Sequence, residues 1–228
     1  HTLVSGVEIA KEDSRNDTRS VANGANTPID NPDPDSAYNG AIVASGFNRG
    51  DARNHALYFF DTAEFNAQWQ INAGLRVDDF STDYYSKAIN TTTNAVTILD
   101  LDNHDRSHNY SAGLTYKPAA NGSVYLAYST SSNPSAEGLT LSDSSVDLNP
   151  EKNRCTELGS KWQLFDTQLL LSAALFQTDK TDARTSDGSS GAVTVLDGEQ
   201  RVRGFSVSAT GIITEKWQII SSYTRLDS

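Results

Sequence analysis

The stretch Asn149 to Lys180, NPEKNRCTELGSKWQLFDTQLLLSAALFQTDK, decides how the chain is read. Thr156, Leu158, Ser160 and Trp162 alternate with Glu157, Gly159, Lys161 and Gln163, and after Phe165-Asp166-Thr167 the apolar residues resume. This pattern predicts two strands joined by a tight turn. In extended backbone successive side chains leave by opposite faces, so strict alternation wets one face only. Whether protein core or lipid lies against the other face sets the fold class.

Composition narrows the choice. Only 37% of the 228 residues are apolar and the mean hydropathy is −0.49, thin for a globular core, while the recurrent strand patterns argue against disorder. No run approaches the roughly 18 apolar residues of a membrane helix. A transmembrane barrel stays open, because its alternating strands average to the hydropathy of a soluble protein. A net charge of −11 and a pI near 4.7 argue against a nucleic-acid partner. The single cysteine, Cys155, allows neither an internal disulfide nor a cysteine-based zinc site. A start at His1, with no Met and no leader, is expected of an internal piece or a processed product.

Working outward, strand patterns are joined by connections that are alternately short and long. A first strand over residues 2–12 precedes a long polar connection from about Asp13 to Asn54, and a second strand runs from His55 to Phe65. After Asn66-Ala67-Gln68, a third strand starts at Trp69, with Ile71, Ala73, Leu75 and Val77 opposed to Gln70, Asn72, Gly74, Arg76 and Asp78. A second long connection is expected over Ser86–Arg106. Tyr110, Ala112, Leu114 and Tyr116 then alternate with polar neighbours, and a short turn over Lys117–Gly122 carries the hairpin signal Asn-Gly. Val124, Leu126 and Tyr128 form the next stripe, followed by long connections over about Ser131–Lys152 and, after the opening hairpin, Thr181–Glu199. Phe205, Val207 and Ala209 lead through Thr214-Glu215-Lys216 to a last strand from Trp217.

This predicts an all-β, antiparallel, up-and-down arrangement of about nine strands, with short turns at one end and long polar loops at the other. Soluble sandwiches do not need that asymmetry, whereas outer-membrane barrels have it. Trp69, Trp162 and Trp217 all fall beside short turns and on the apolar face, as a membrane-interface girdle would place them. Nine strands with open edges would leave backbone unpaired in lipid, so the expectation is a segment of a larger barrel.

Several ordered motifs resemble one family. They include Ser132-Asn133-Pro134-Ser135 with Glu137-Gly138, Asn149-Pro150-Glu151-Lys152, Glu157-Leu158-Gly159 with Lys161-Trp162, and Ala173-Ala174-Leu175-Phe176 with Lys180. Gly198, Gln200-Arg201-Val202, Gly204-Phe205, Gly211, Ile213-Thr214, Trp217, Tyr223-Thr224 and Leu226-Asp227-Ser228 continue the series, as do Asp61, Trp69, Gly74-Leu75-Arg76 and Asp78. From about His55 to Ser228 the order is similar to the barrel of TonB-dependent siderophore receptors, nearest the ferric-catecholate group. The resemblance implies a 22-stranded outer-membrane barrel whose plug is absent from residues 1–228. Its partners would be a ferric siderophore, outer-membrane lipid, and the TonB–ExbB–ExbD system acting through the missing plug.

A ferric catecholate is a bulky anion with aromatic rings, so cations and aromatic faces near the loop ends are its candidate contacts. Those candidates are Tyr84, Tyr85, Arg106, Arg154, Arg184 and Arg203, with Lys87 and Arg201 nearby. Asp100-Leu101-Asp102-Asn103-His104-Asp105 with His108 has donor types for a metal but lacks the Gly and terminal Glu of a calcium loop. It is read as a solvated loop, so no metal site and no resident cofactor are expected, iron being carried within the siderophore. No nucleophile stands at recognisable spacing from a base and Gly-x-Ser-x-Gly is lacking, so an enzyme is not expected. The alternatives are a porin-like or adhesive barrel and a soluble β-domain; in a soluble domain the tryptophans would be dispersed and the connections mixed.

Overall fold

The structure, a computed structural model, describes residues 1–22, 30–31, 41–134, 139, 141–186, 193–195, 199–214 and 216–228. The strands are β1 (Thr2–Ala22), β2 (Ala41–Glu64), β3 (Trp69–Ile89), β4 (Val96–Ala119), β5 (Gly122–Asn133), β6 (Glu151–Leu164), β7 (Leu169–Thr181), β8 (Arg184–Ser186), β9 (Val193–Val195), β10 (Glu199–Thr214) and β11 (Trp217–Asp227). Nine of them form one antiparallel sheet in the order β1-β2-β3-β4-β5-β6-β7-β10-β11, and β8 pairs with β9 separately. Apart from the β8–β9 hairpin inserted in one connection, every strand lies beside its neighbour in sequence, as the up-and-down reading requires.

The tight turns sit where the sequence puts them, and local chemistry explains each. Asn66 Oδ1 accepts the backbone N–H groups of Gln68 and Trp69 at 2.8 and 2.9 Å, which closes the β2–β3 turn and seats Trp69. Ala120 and Asn121 make the β4–β5 turn, and Asn121 Nδ2 donates to the Gln163 carbonyl at 3.0 Å. Phe165, Asp166 and Thr167 have φ of 53°, 52° and 70°, the left-handed region that tight hairpins between twisted strands require. Glu215, in the last short turn, lies outside the described residues. So do Ser135, Glu137, Gly138, Asp187-Gly188 and Asp197-Gly198, the last two pairs being turn-type dipeptides in the sequence.

The strands are longer than their apolar pattern. β1 runs on to Ala22 and β2 starts at Ala41, so much of the connection expected over Asp13–Asn54 is paired strand. The connection expected over Ser86–Arg106 shrinks to residues 90–95, because β3 and β4 pair from Ile89↔Val96 downward. Polarity suggested loop there, but a ladder is held by backbone groups, and polar side chains on both faces suit a ribbon standing in water.

Lateral register gathers the apolar residues into one band. Leu75 lies opposite Phe59 and Tyr110, Leu158 opposite Leu126 and Leu175, and Val207 opposite Ala173 and Tyr223. This band is the open face of the sheet: Leu57, Leu75, Leu126, Leu158 and Leu175 are 61%, 49%, 51%, 50% and 60% exposed. The buried apolar side chains among the described residues are only Ala52, Ala56, Tyr84, Leu139, Leu141 and Ala183. The stripe therefore covers no protein core, and an apolar face of this extent calls for an apolar medium.

The opposite, polar face is the more enclosed one, alternating half-buried with exposed along β3, β4 and β6. Glycines there admit aromatic rings. A Cβ on Gly159 would stand 2.3 Å from the Tyr125 ring, whose hydroxyl donates to Glu157 at 2.6 Å while Lys161 Nζ lies 5.4 Å from its centroid. Trp69 stacks on Tyr116 with centroids 4.6 Å apart and Trp162 Nε1 donates to Ser160 Oγ at 2.6 Å. With exposed Trp217, both leave by the apolar face next to a short turn.

Candidate functional site

The strongest candidate site arises where the sheet parts. The β4–β5 ladder runs from Ala119↔Gly122 to Ser111↔Ser129 and stops there, whereas β3 accompanies β4 to its far end. Beyond the stop, Thr130 Oγ1 takes over, accepting the Tyr110 N–H at 3.0 Å, and Ser132 Oγ donates to Asn109 Oδ1 at 3.1 Å. On the polar face this opening forms a cavity of about 280 Å³, walled by Asn54, Arg76, Asp78, Phe80 and Asn109 and roofed by Pro134 and Pro150.

Arg76 is the cation of a lining that also holds the carboxylates of Asp78 and Asp105. The guanidinium donates to Asp78 at 2.7 Å and to Glu8, two strands away, at 3.0 Å, which fixes its plane beside the cavity. Asn54 Nδ2 donates to Asp78 at 3.2 Å, while Asn54 Oδ1 is buried with no hydrogen-bond partner among the described residues. A cation, an aromatic ring, an unfilled acceptor and several hydroxyl and amide groups thus share one half-enclosed space. This is equipment for binding.

The chain between β5 and β6 folds over the same face. Leu141 packs on Tyr84, with Phe80, Leu101 and Val146 around them, and Asn103 Nδ2 donates to the Val146 carbonyl at 2.7 Å. The base of this loop is fixed by Glu151, which accepts the Arg184 N–H at 2.8 Å and pairs with Lys180 at 2.9 Å. Arg184 in turn donates to the Pro134 and Asn149 carbonyls at 3.4 and 2.7 Å. Desolvation pushes the Glu151 carboxyl up, but Lys180 and the Arg184 N–H outweigh it and hold it below its ordinary value. A depressed carboxyl stabilises the folded loop fully above its unfolded pKa of about 4.3 and progressively less as pH falls through the folded value. The protection of residues 141–150 against hydrogen exchange, relative to the intrinsic rate at each pH, is thus expected to fall as pH drops below about 5, and Glu151→Gln should flatten this dependence.

Of the six expected contact residues, Arg106 and Arg154 line one cavity of about 360 Å³ with Tyr110, Thr130 and Lys152, and the other four are not brought together. Tyr84 is on the polar face but buried beneath Leu141, and Arg184 braces the loop base. Tyr85, Arg106, Arg154 and Arg203 leave by the apolar-stripe face, beyond the end of the stripe. Arg106 lies opposite Asp79, Arg154 opposite Asp179 and Arg203 opposite Gln177, while Tyr85 stacks on Phe47 at 5.7 Å. Because the strands continue past the apolar band, period-two parity still decides the face, and these four fall on the side away from the Arg76 cavity. Arg106 donates to Asp79 at 2.7 Å and holds that carboxyl below the usual range. Carrying the alternation of Arg76 onward gives Asp78 and Phe80, a signal available in the sequence; Asn54, Asn109, Pro134 and Pro150 needed the register.

Asp100–Asp105, expected as a solvated loop, lies within β4, so Asp102 and His104 leave by one face and Asn103 and Asp105 by the other. No metal-holding group of three or more His, Cys, Asp or Glu occurs among the described residues.

Residues 5–228 match the family described as "TonB dependent receptor-like, beta-barrel". The chain is 34% identical over 206 residues, 86% of its length, to the probable TonB-dependent receptor BfrD of Bordetella pertussis. It is 31% identical over 248 aligned residues, 99% of its length, to the catecholate siderophore receptor Fiu of Escherichia coli K12. The crystal structure of Fiu in its closed form superposes with a TM-score of 0.82 at 28% identity, over 98% of this chain and 34% of that one; the open form gives 0.73. The chain spans 27% and 32% of the lengths of BfrD and Fiu. An open, all-antiparallel sheet with an exposed apolar band, matched to this family from residue 5 to its last residue, places the chain in the TonB-dependent receptor β-barrel family.

Proposed function

We propose that this chain is part of the barrel wall of an outer-membrane receptor that takes up iron–siderophore complexes, with ferric catecholates as the leading substrate class. The observation that carries the reading is the exposed apolar band on a sheet that aligns from end to end with a catecholate siderophore receptor. From Trp69 to Val77 the band is nine residues deep on β3, the length of a tilted transmembrane strand. Trp69, Trp162 and Trp217 form the girdle at the short-turn, periplasmic rim, and the loops at the other end are external.

In this reading the polar face lines the lumen. The cavity at Arg76, Asn54, Phe80 and Asn109 contributes aromatic and hydrogen-bonding wall contacts for the chelate, and the loop fastened at Leu141 lies over the same face. Iron is cargo within the siderophore. Passage is driven by the TonB–ExbB–ExbD system acting through a plug region, and the wall residues supply capture rather than chemistry.

The test is complementation: the full-length gene, expressed in a strain lacking its catecholate receptors, should restore iron-limited growth on ferric catecholate and not on ferric hydroxamate. Growth restored only for substrates without iron would overturn the assignment.

A further inference from the structure

Where the β4–β5 ladder ends, it leaves a backbone edge inside the sheet. In an antiparallel ladder the N–H and C=O of one residue point to the same neighbouring strand, and those of the next residue point to the other. The Lys117 N–H donates to the Gln68 carbonyl at 2.7 Å, on the β3 side, whereas the Tyr110 N–H points to β5 and is taken by Thr130 Oγ1 at 3.0 Å. Odd-numbered residues of β4 therefore serve β3, and even-numbered ones face β5. Above Tyr110 the backbone groups of His108, Arg106 and His104 face the gap, and no strand among the described residues pairs with them there.

The gap is open to both sides of the wall. Outside it lies the cavity of about 360 Å³ that Arg106, Lys152 and Arg154 border, inside it lies the cavity at Arg76, and Ser107, Ser132 and Pro150 line both. Arg106 is engaged by Asp79; Lys152 and Arg154 make no ion pair with a described residue, and no carboxylate lines the outer cavity among the described residues. A row of unpaired N–H and C=O groups is a template for one more strand. The cations beside it repel a basic segment and attract an acidic one. Alternate side chains of an added strand leave by opposite faces, so one set meets Lys152 and Arg154 and the other meets Ser107 and Asn109.

We infer that this edge is a docking site for an extended peptide with an acidic residue at every second position, which adds as a strand beside residues 104–108 of β4. Its backbone pairs with His104, Arg106 and His108, and its carboxylates meet Lys152 and Arg154. The partner is a protein that presents such a segment from outside the membrane; that placement rests on the receptor reading, while the pairing itself does not.

The experiment uses the isotope-labelled full-length protein in nanodiscs. Without any partner, the amides of His104, Arg106 and His108 should exchange faster than those of Asn103, Ser107 and Asn109, which β3 holds. A capped peptide of alternating threonine and glutamate should bind and slow exchange at the three even-numbered amides, and its counterpart of threonine and lysine should not. His104→Pro removes a donor that faces the gap and spares the β3 ladder. It should weaken peptide binding about tenfold, the upper end for one backbone hydrogen bond, while His104→Ala binds like the parent. Equal protection of the odd and even amides in the free protein, absence of binding by the glutamate peptide, equal binding of the lysine peptide, or unchanged binding by His104→Pro each overturns the inference. None of these outcomes alters the receptor reading, which the growth test decides.

Discussion

Leu158→Arg is expected to be among the most damaging single substitutions in the chain, although Leu158 touches no ligand and no core. Its side chain lies in mid-band between Leu126 and Leu175, half exposed on the apolar face. In water such a position would tolerate arginine at little cost. In a bilayer, arginine near the midplane of a barrel costs about 2–4 kcal/mol, enough to empty most of the correctly inserted population of a marginal assembly. Gln70→Arg, placed on the polar face near a short turn, should be nearly neutral, because that face is wetted. The measurement is the folded, heat-modifiable fraction of the full-length protein recovered from outer membranes. Similar recovery for both variants would mean that the apolar band does not meet lipid.

A second large effect is expected at the loop roof. Leu141 is 5% exposed against Tyr84, and truncating a buried leucine to alanine costs about 2–5 kcal/mol. Among the described residues, Leu141, Val146 and the Asn103 hydrogen bond to the Val146 carbonyl help to hold residues 141–148 down. Leu141→Ala is therefore expected to release the loop while the sheet, which depends on none of these, stays folded. Limited proteolysis should show new cleavage within 141–150 and faster exchange there, with strand protection unchanged. Tyr84→Phe keeps the ring and should behave like the parent. Unaltered proteolysis in Leu141→Ala would remove the loop from any role as a fastened roof.

How much of this was legible in the sequence follows from where the physics is local. Trp69 to Val77 and Thr156 to Trp162 announce strands because one face must be apolar and the other wet. Asn66 and Phe165–Thr167 mark turns that their own side chain or backbone closes, while the Asn121 side chain reaches Gln163 on β6. The upper halves of β1 to β4 were illegible as strands, because both faces stand in water and no hydropathy contrast remains; only the ladder reveals them. The facing of the expected contact residues was illegible for the same reason. Tyr85, Arg106, Arg154 and Arg203 have the right chemistry at the right height, but reading them as loop residues hid the parity that turns them outward. Tyr84 beneath Leu141 joins residues 57 apart in sequence, a contact that no local pattern encodes.

The early end of the β4–β5 ladder also has a mechanical meaning. Above Ser111↔Ser129 the tall β1–β4 ribbon shares no backbone ladder with β5, so it can lean relative to the rest of the sheet without breaking a strand pair. The β5–β6 loop reaches across this division and is fastened on the far side by Leu141 and Val146 against Tyr84, Phe80 and Leu101. The wall is thus parted at its outer margin and laced there, among the described residues, by the Thr130 and Ser132 side-chain bonds and by this loop. Unlacing it would widen the mouth around Arg76 while the membrane-spanning lower wall stays closed.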